Sequence, residues 1–154
     1  MINILELIDG GFLGGGQTHI LSIVKNLNKE KYNAVIAASA FGEFKKEVDR
    51  SDHSFRSIEL PKIYNSKLLN NLDEICKENK IDIIHSHGGV AGMYARFYKK
   101  KYSKVKVIQT IHGIHYINSN NLIKKYVSHF IEKYLVKFTD RFICVSDADF
   151  ESAK

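Results

Sequence analysis

"INILELIDGGFLGGGQTHILSIVKNL", Ile2–Leu27, sets the pattern for the whole chain. Its apolar run, Ile2–Ile8, is rich in the Ile and Leu that suit a buried strand. The run ends at Asp9-Gly10-Gly11, a turn signal. Helical spacing then takes over, with Ile20, Ile23, Val24 and Leu27 of His19–Asn28 on one stripe. Between the two lie five glycines in seven positions, Gly10 to Gly16. A strand that passes through a glycine loop into a helix is the start of a β-α-β unit.

The same alternation repeats downstream. Tyr32–Ser39 reads as a second buried strand, Glu43–Ser51 as a short helix, and Ser54–Leu60 as a third strand stopped by Pro61, the only proline. Ser66–Lys80 reads as a helix that Ser66 caps, with Leu68, Leu69, Leu72, Ile75 and Cys76 on one stripe. Ile81–Ser86 is the fourth strand and Val90–Lys101 its helix. Lys104–His112 is the fifth strand, and Arg141–Ser146 the sixth. Between these two, a helix from about Asn121 to Phe138 places Ile123, Tyr126, Val127, Phe130, Ile131, Tyr134 and Leu135 at helical spacing. Asp147–Lys154 opens like one more helix. Such alternation predicts α/β architecture: a doubly wound, mostly parallel, six-stranded Rossmann-like sheet in the order 3-2-1-4-5-6.

Composition narrows the class. At 154 residues, 44% hydrophobic and 26% charged, the chain is one globular domain rather than a disordered one. No apolar run approaches the ~18 residues of a membrane span. The first residues carry neither a basic leader nor a small-residue cleavage site. Cys76 and Cys144, far apart in apolar settings, are expected to be reduced, buried thiols. A cytoplasmic protein is expected. The net charge is +6, and no acidic residue lies between Ile83 and Ile131, where Arg96, Lys99, Lys100, Lys101, Lys104, Lys106, Lys124 and Lys125 all fall. That asymmetry fits a surface facing an anionic partner, or simply a solvated basic face. No RNA-binding pattern is present, and no nucleic-acid partner is expected.

In a sheet of this order, ligands bind beyond the carboxyl ends of the strands where the order reverses, between strands 1 and 4. The turns after strands 1, 4 and 5 should therefore bring His19, His85, His87 and His112 to one crevice. Gly14, Gly15 and Gly16 precede the first helix, where glycines let backbone N–H groups approach an anion. The bland alternative is a flexible β-α loop. From Gly11 the chain reads G-x-x-x-x-G-Q-T, a triphosphate loop whose lysine is replaced by Gln17. The dinucleotide pattern G-x-G-x-x-G fits no frame. His112, followed by Gly113, ends strand 5 with its ring free to enter the crevice, as a hydrogen-bond donor or as a structural cap. His85 and His87 are read as pointing to opposite faces, with His87 in the crevice beside Gly88 and Gly89 and His85 packed beneath a helix. No metal is expected, because H-x-x-x-H spacing and nearby carboxylates are both missing from this half.

Taken in order, "GGGQTHILSIVKNL", "IDIIHSHGG", "VIQTIHG" and "DRFICVSDADFES" resemble the N-terminal domain of family 4 glycosyltransferases, retaining enzymes of GT-B architecture. The resemblance runs from Ile2 to about Ser152. It implies that residues 1–154 form the acceptor-binding lobe of an enzyme moving a sugar from a nucleotide-sugar donor to a glycan or lipid-linked acceptor. The nucleotide-sugar domain would lie beyond this sequence, leaving the chain inactive alone and without a cofactor. The resemblance further implies that Gly15 and Gly16, with Gly14, border the donor diphosphate. His112 would be the catalytic residue near the donor sugar, and Ser146 would lie by the cleft. Lys99, Lys100 and Lys101 would then suit an anionic membrane surface at the inner face. The alternative is a non-catalytic module binding a sugar phosphate or nucleotide.

Overall fold

The computed structural model describes residues 1–112 and 122–153. The strands are β1 (Ile2–Ile8), β2 (Tyr32–Ala38), β3 (Ser54–Ser57), β4 (Ile83–His87), β5 (Lys106–Ile111) and β6 (Arg141–Cys144). They form one sheet in the order β3-β2-β1-β4-β5-β6 with every pair parallel. The helices are α1 (Gly15–Asn26), α2 (Phe44–Arg50), α3 (Leu68–Glu78), α4 (Gly89–Tyr102), α5 (Leu122–Leu135) and α6 (Asp147–Ala153), with a 3-10 turn at Val136–Phe138. The expected fold class and strand order are both found.

Strand alternation sorts the core into two layers. Leu5 and Leu7 of β1 join Val35, Ala37, Ile84 and Val107 against Leu69, Leu72, Ala91, Tyr94 and Tyr98 of α3 and α4. On the opposite face Ile8, Ile36 and Ala38 meet Ile20 and Val24 of α1 and Phe44 and Val48 of α2. Each fully buried Leu or Ile contributes about 1.5–3 kcal/mol relative to exposure. At one point the backbones themselves touch. A Cβ on Gly11 would sit 2.1 Å from the Phe41 carbonyl oxygen, and one on Gly42 2.2 Å from that of Gly11.

Several expectations need correction. Ser66 is not the cap of α3, which begins at Leu68 with Lys67 in the cap position. The Asn65 carboxamide instead accepts from the Lys67 N–H at 3.0 Å, closing an Asx turn that leads into the helix. β3 ends at Ser57, although the Ile58 N–H still donates to the Ala38 carbonyl at 2.9 Å. Arg96 belongs to no basic surface, being buried with both guanidinium NH groups on Glu132 at 2.6 and 2.8 Å. Lys99 is paired to Asp140, whose carboxylate also accepts from the Val107 N–H at 2.7 Å. The acid-free stretch therefore draws its counter-charges from residues outside it.

Cys76 is buried, and burial pushes its thiol up to about 12, whereas Cys144 is only half-buried. Tyr126 and Phe130 of α5 lie 73% and 74% exposed rather than in the core; among the described side chains of the expected stripe only Leu135 is fully buried, and that of Ile123 lies outside them. Gly113 and the expected helix start at Asn121 lie outside the described residues. Among the described residues no helix is long and apolar enough to cross a membrane.

Candidate functional site

The glycine run does more than precede a helix: α1 starts inside it. Gly14 is the N-cap, in extended conformation, and Gly15 and Gly16 form the first turn. Its carbonyl accepts from the Thr18 N–H at 3.0 Å. The first-turn N–H groups are orphan donors at the positive end of the helix. Gln17 turns inward, 8% exposed, and its Nε2 donates to the Gly10 carbonyl at 3.2 Å. The residue in the triphosphate-lysine position thus ties the loop shut. A Cβ on Gly15 would meet nothing within 4 Å, so that surface is open. A Cβ on Gly16 would lie 2.8 Å from Ile8 Cδ1 and 3.9 Å from His112 Nε2. The turns after β1 and β5 do meet.

Four histidines converge as expected. The His19 ring stands edge-on to His87 and His112, with centroids 5.6 and 5.3 Å apart. His87 Nδ1 lies 3.3 Å from His112 Nε2. The opposite-face assignment of His85 and His87 is overturned. Residues two apart on a strand share a face, and their rings lie 4.2 Å apart. His87 is fully buried and is no direct wall of an open crevice; His85 is buried too and binds Thr110 Oγ1 at 2.7 Å.

What holds these rings together is a residue that sequence reasoning passed over. Glu6, 1% exposed, places Oε2 2.7 Å from His87 Nε2 and 3.0 Å from His85 Nδ1. The β1–β4 register sets it directly opposite His85. Burial pulls its carboxyl up, but the hydrogen bonds from His85 and His87 outweigh this and hold it below the ordinary carboxylate range. His87 is pushed below the ordinary imidazole value of 6.5 by burial, against the pull of Glu6. His112 is lowered too, by burial and then by His19 and His85, with Asp149 opposing. The signal available in the sequence was a lone carboxylate inside a strand that, apart from Asn3, is otherwise built from Ile and Leu.

Ser146 takes a capping role: its hydroxyl donates to Asp149 at 2.8 Å and accepts from the Asp149 N–H at 3.1 Å, at the start of α6. It thereby holds the carboxylate that faces His112. Two sets of groups place ligand atoms within 4.8 Å of one another, His19–His87–His112 and Glu6–His85–His87. The stated ground for expecting no metal, missing carboxylates, therefore fails at Glu6, which comes from the other half of the chain. The Glu6 set is already joined by its own hydrogen bonds.

A doubly wound α/β domain with a glycine-started helix and a histidine cluster at its switch point is thus defined. The chain belongs to glycosyltransferase family 4, whose sequence profile matches residues 13–152. It is 27% identical over 145 residues to an Escherichia coli UDP-Gal:α-D-GlcNAc-diphosphoundecaprenol α-1,3-galactosyltransferase, covering 90% of this chain and 37% of that one. Its fold superposes on Anabaena HepE in complex with UDP with a TM-score of 0.74 and 16% identity, over 98% of this chain and 40% of that one. The Neisseria meningitidis UDP-GlcNAc 2-epimerase bound to UDP-GlcNAc shares the fold as well, with a TM-score of 0.61 and 10% identity over 99% of this chain and 43% of that one. The chain therefore spans about two fifths of the length of these relatives.

Proposed function

We propose that this chain is the acceptor-binding lobe of a glycosyltransferase that moves a hexosyl group from a nucleotide sugar to a lipid-diphosphate-linked glycan. The observation that carries this reading is the meeting of the α1 N-terminus, the open face of Gly15 and the His112 ring at the switch point of the sheet. The first-turn N–H groups offer a diphosphate the positive end of a helix. His112 offers an imidazole beside it. The E. coli relative's name supplies the chemistry to test first, UDP-galactose as donor and a diphosphoundecaprenol-linked sugar as acceptor. Phe12, Leu13 and Phe41, exposed on the loops leaving β1 and β2, suit the lipid part of such an acceptor. Lys100 and Lys101 remain for an anionic membrane surface, while Lys99 is committed to Asp140.

In the transfer, the bond between the sugar anomeric carbon and the diphosphate breaks, and an acceptor oxygen takes its place. Charge develops on the leaving diphosphate and must be met by fixed positive groups. With the α1 N-terminus receiving the acceptor's diphosphate, those groups fall to a second lobe. The chain alone should bind acceptor without catalysing transfer. The test is titration of the labelled chain with a GlcNAc-diphospholipid in detergent, followed by NMR. Shifts at Gly15, Gly16 and His112 are expected, with no radiolabelled galactose transferred from UDP-galactose. An acceptor that leaves those residues silent would overturn the site. Transfer by the chain alone would overturn the division of labour.

A further inference from the structure

We propose that Glu6 is a positioning residue that acts through His87 to fix which nitrogen of the His112 ring carries its proton. The inference rests on the reading of His112 as the ring that meets the ligand. An ionised carboxylate only accepts hydrogen bonds. His87 Nε2, 2.7 Å from Glu6 Oε2, must therefore carry a hydrogen. A neutral imidazole has one N–H, so His87 Nδ1 presents a lone pair. His112 Nε2 faces that lone pair at 3.3 Å and must be the donor. The proton of His112 is thus placed on Nε2, and Nδ1 becomes an acceptor.

The same carboxylate orders the side branch. His85 Nδ1 donates to Glu6 at 3.0 Å, which leaves its Nε2 to accept from the Thr110 hydroxyl at 2.7 Å. Four side chains on three strands, and His112 just past the end of β5, then share one consistent set of donors and acceptors. The directions of the shifts agree with this assignment, since Glu6 is held toward its charged form while burial holds His87 and His112 toward neutrality. Among the described residues, the groups that act on His112 are His19 from α1, His85 and His87 from β4, and Asp149 from α6, with Glu6 reaching it through His87.

The consequence concerns ligand chemistry. A ligand atom that meets His112 Nδ1 near neutral pH meets a lone pair, so it must be a donor. A sugar hydroxyl qualifies, and a phosphate oxygen does not. The donor role expected from sequence is replaced by an acceptor role, leaving the phosphate to the α1 N-terminus.

Nitrogen-resolved NMR of the histidine rings in the full 154-residue chain tests this directly. At pH 7.5 His87 and His112 should show the Nε2–H pattern and His85 the Nδ1–H pattern. Glu6→Gln supplies an amide that both donates and accepts, so the single-tautomer pattern at His112 should be lost while the backbone spectrum stays folded. Thr110→Val removes the His85 partner only and should leave His112 unchanged. An Nδ1–H pattern at His112 in the unsubstituted chain overturns the proposal, whether or not Glu6→Gln folds. So does an unchanged His112 in a folded Glu6→Gln chain, or an equal change in Thr110→Val. Methyl galactoside and inorganic diphosphate serve as probes, and His112 Nδ1 should respond to the glycoside. A response to diphosphate instead overturns the acceptor assignment. Silence to both probes, with the tautomers as stated, supports the relay and counts against the function proposed above.

Discussion

Gly42, in the loop after β2, and Gly15, in the first turn of α1, answer to different demands. Gly42 has φ of +129°, and a Cβ there would collide with the Gly11 carbonyl at 2.2 Å. Gly42→Ala should therefore destabilise the fold by roughly 2–4 kcal/mol, seen as a lower urea midpoint. Gly15 has ordinary helical geometry and empty space where a Cβ would go. Gly15→Ala should leave stability equal or improved by about 0.5–1 kcal/mol, because alanine is the better helix former. It should nevertheless weaken acceptor binding in the same NMR titration, since a methyl group would occupy the open face. A variant less stable than the original would mean that Gly15 serves packing after all.

At the scale of elements, α4 is tied to both the sheet and α5. Gly92 lets it press against β5, where a Cβ would overlap Gln109 Oε1 at 1.9 Å. Gln109 is held in turn by the Ser86 hydroxyl at 2.6 Å and by its own Nε2 donating to the Gly88 carbonyl at 3.0 Å. One turn further on, α4 grips α5 through Arg96, whose Nε also donates to the Gly92 carbonyl at 2.9 Å. Glu132, the partner of Arg96, is 32% exposed, so the pair is buried at one end only. Glu132→Gln leaves a buried guanidinium without its counter-charge and should cost about 3 kcal/mol in thermal or urea unfolding. Arg96→Met, which removes the buried charge altogether, should cost less. The reverse ranking would show that the pair is held by packing of the arginine stem.

Across the whole molecule, the groups whose titration folding lowers all pull stability in one direction below neutral pH. His53, His87 and His112 sit below 6.5 in the folded protein, so the unfolded chain binds more protons as pH drops. Their contribution is complete above about pH 6.5 and shrinks on acidification through that value. Glu6, Asp73 and Asp140 are also lowered, and their contribution persists until the carboxylate range and is lost below it. Stability should thus fall steadily from pH 7.5 to pH 4, with the first losses appearing near pH 6.5. Urea midpoints measured across that range check this; a midpoint higher at pH 5.5 than at pH 7.5 would contradict it.

Local pattern determined the class of this protein. Period-2 and period-3.6 hydrophobicity, broken by turn residues, prescribes parallel strands with crossover helices, and their order fixes the switch point where Gly14–Gly16, His87 and His112 gather. Tertiary structure decided what those residues do to one another. Glu6 and His87 are 81 residues apart in sequence and 2.7 Å apart in space, and no local spacing encodes that pairing. The same holds for Arg96 with Glu132 and Lys99 with Asp140, which took two charges out of an apparent basic surface. Hydrophobic period is written along the chain, whereas the protonation state and charge of a buried group depend on neighbours that only folding supplies.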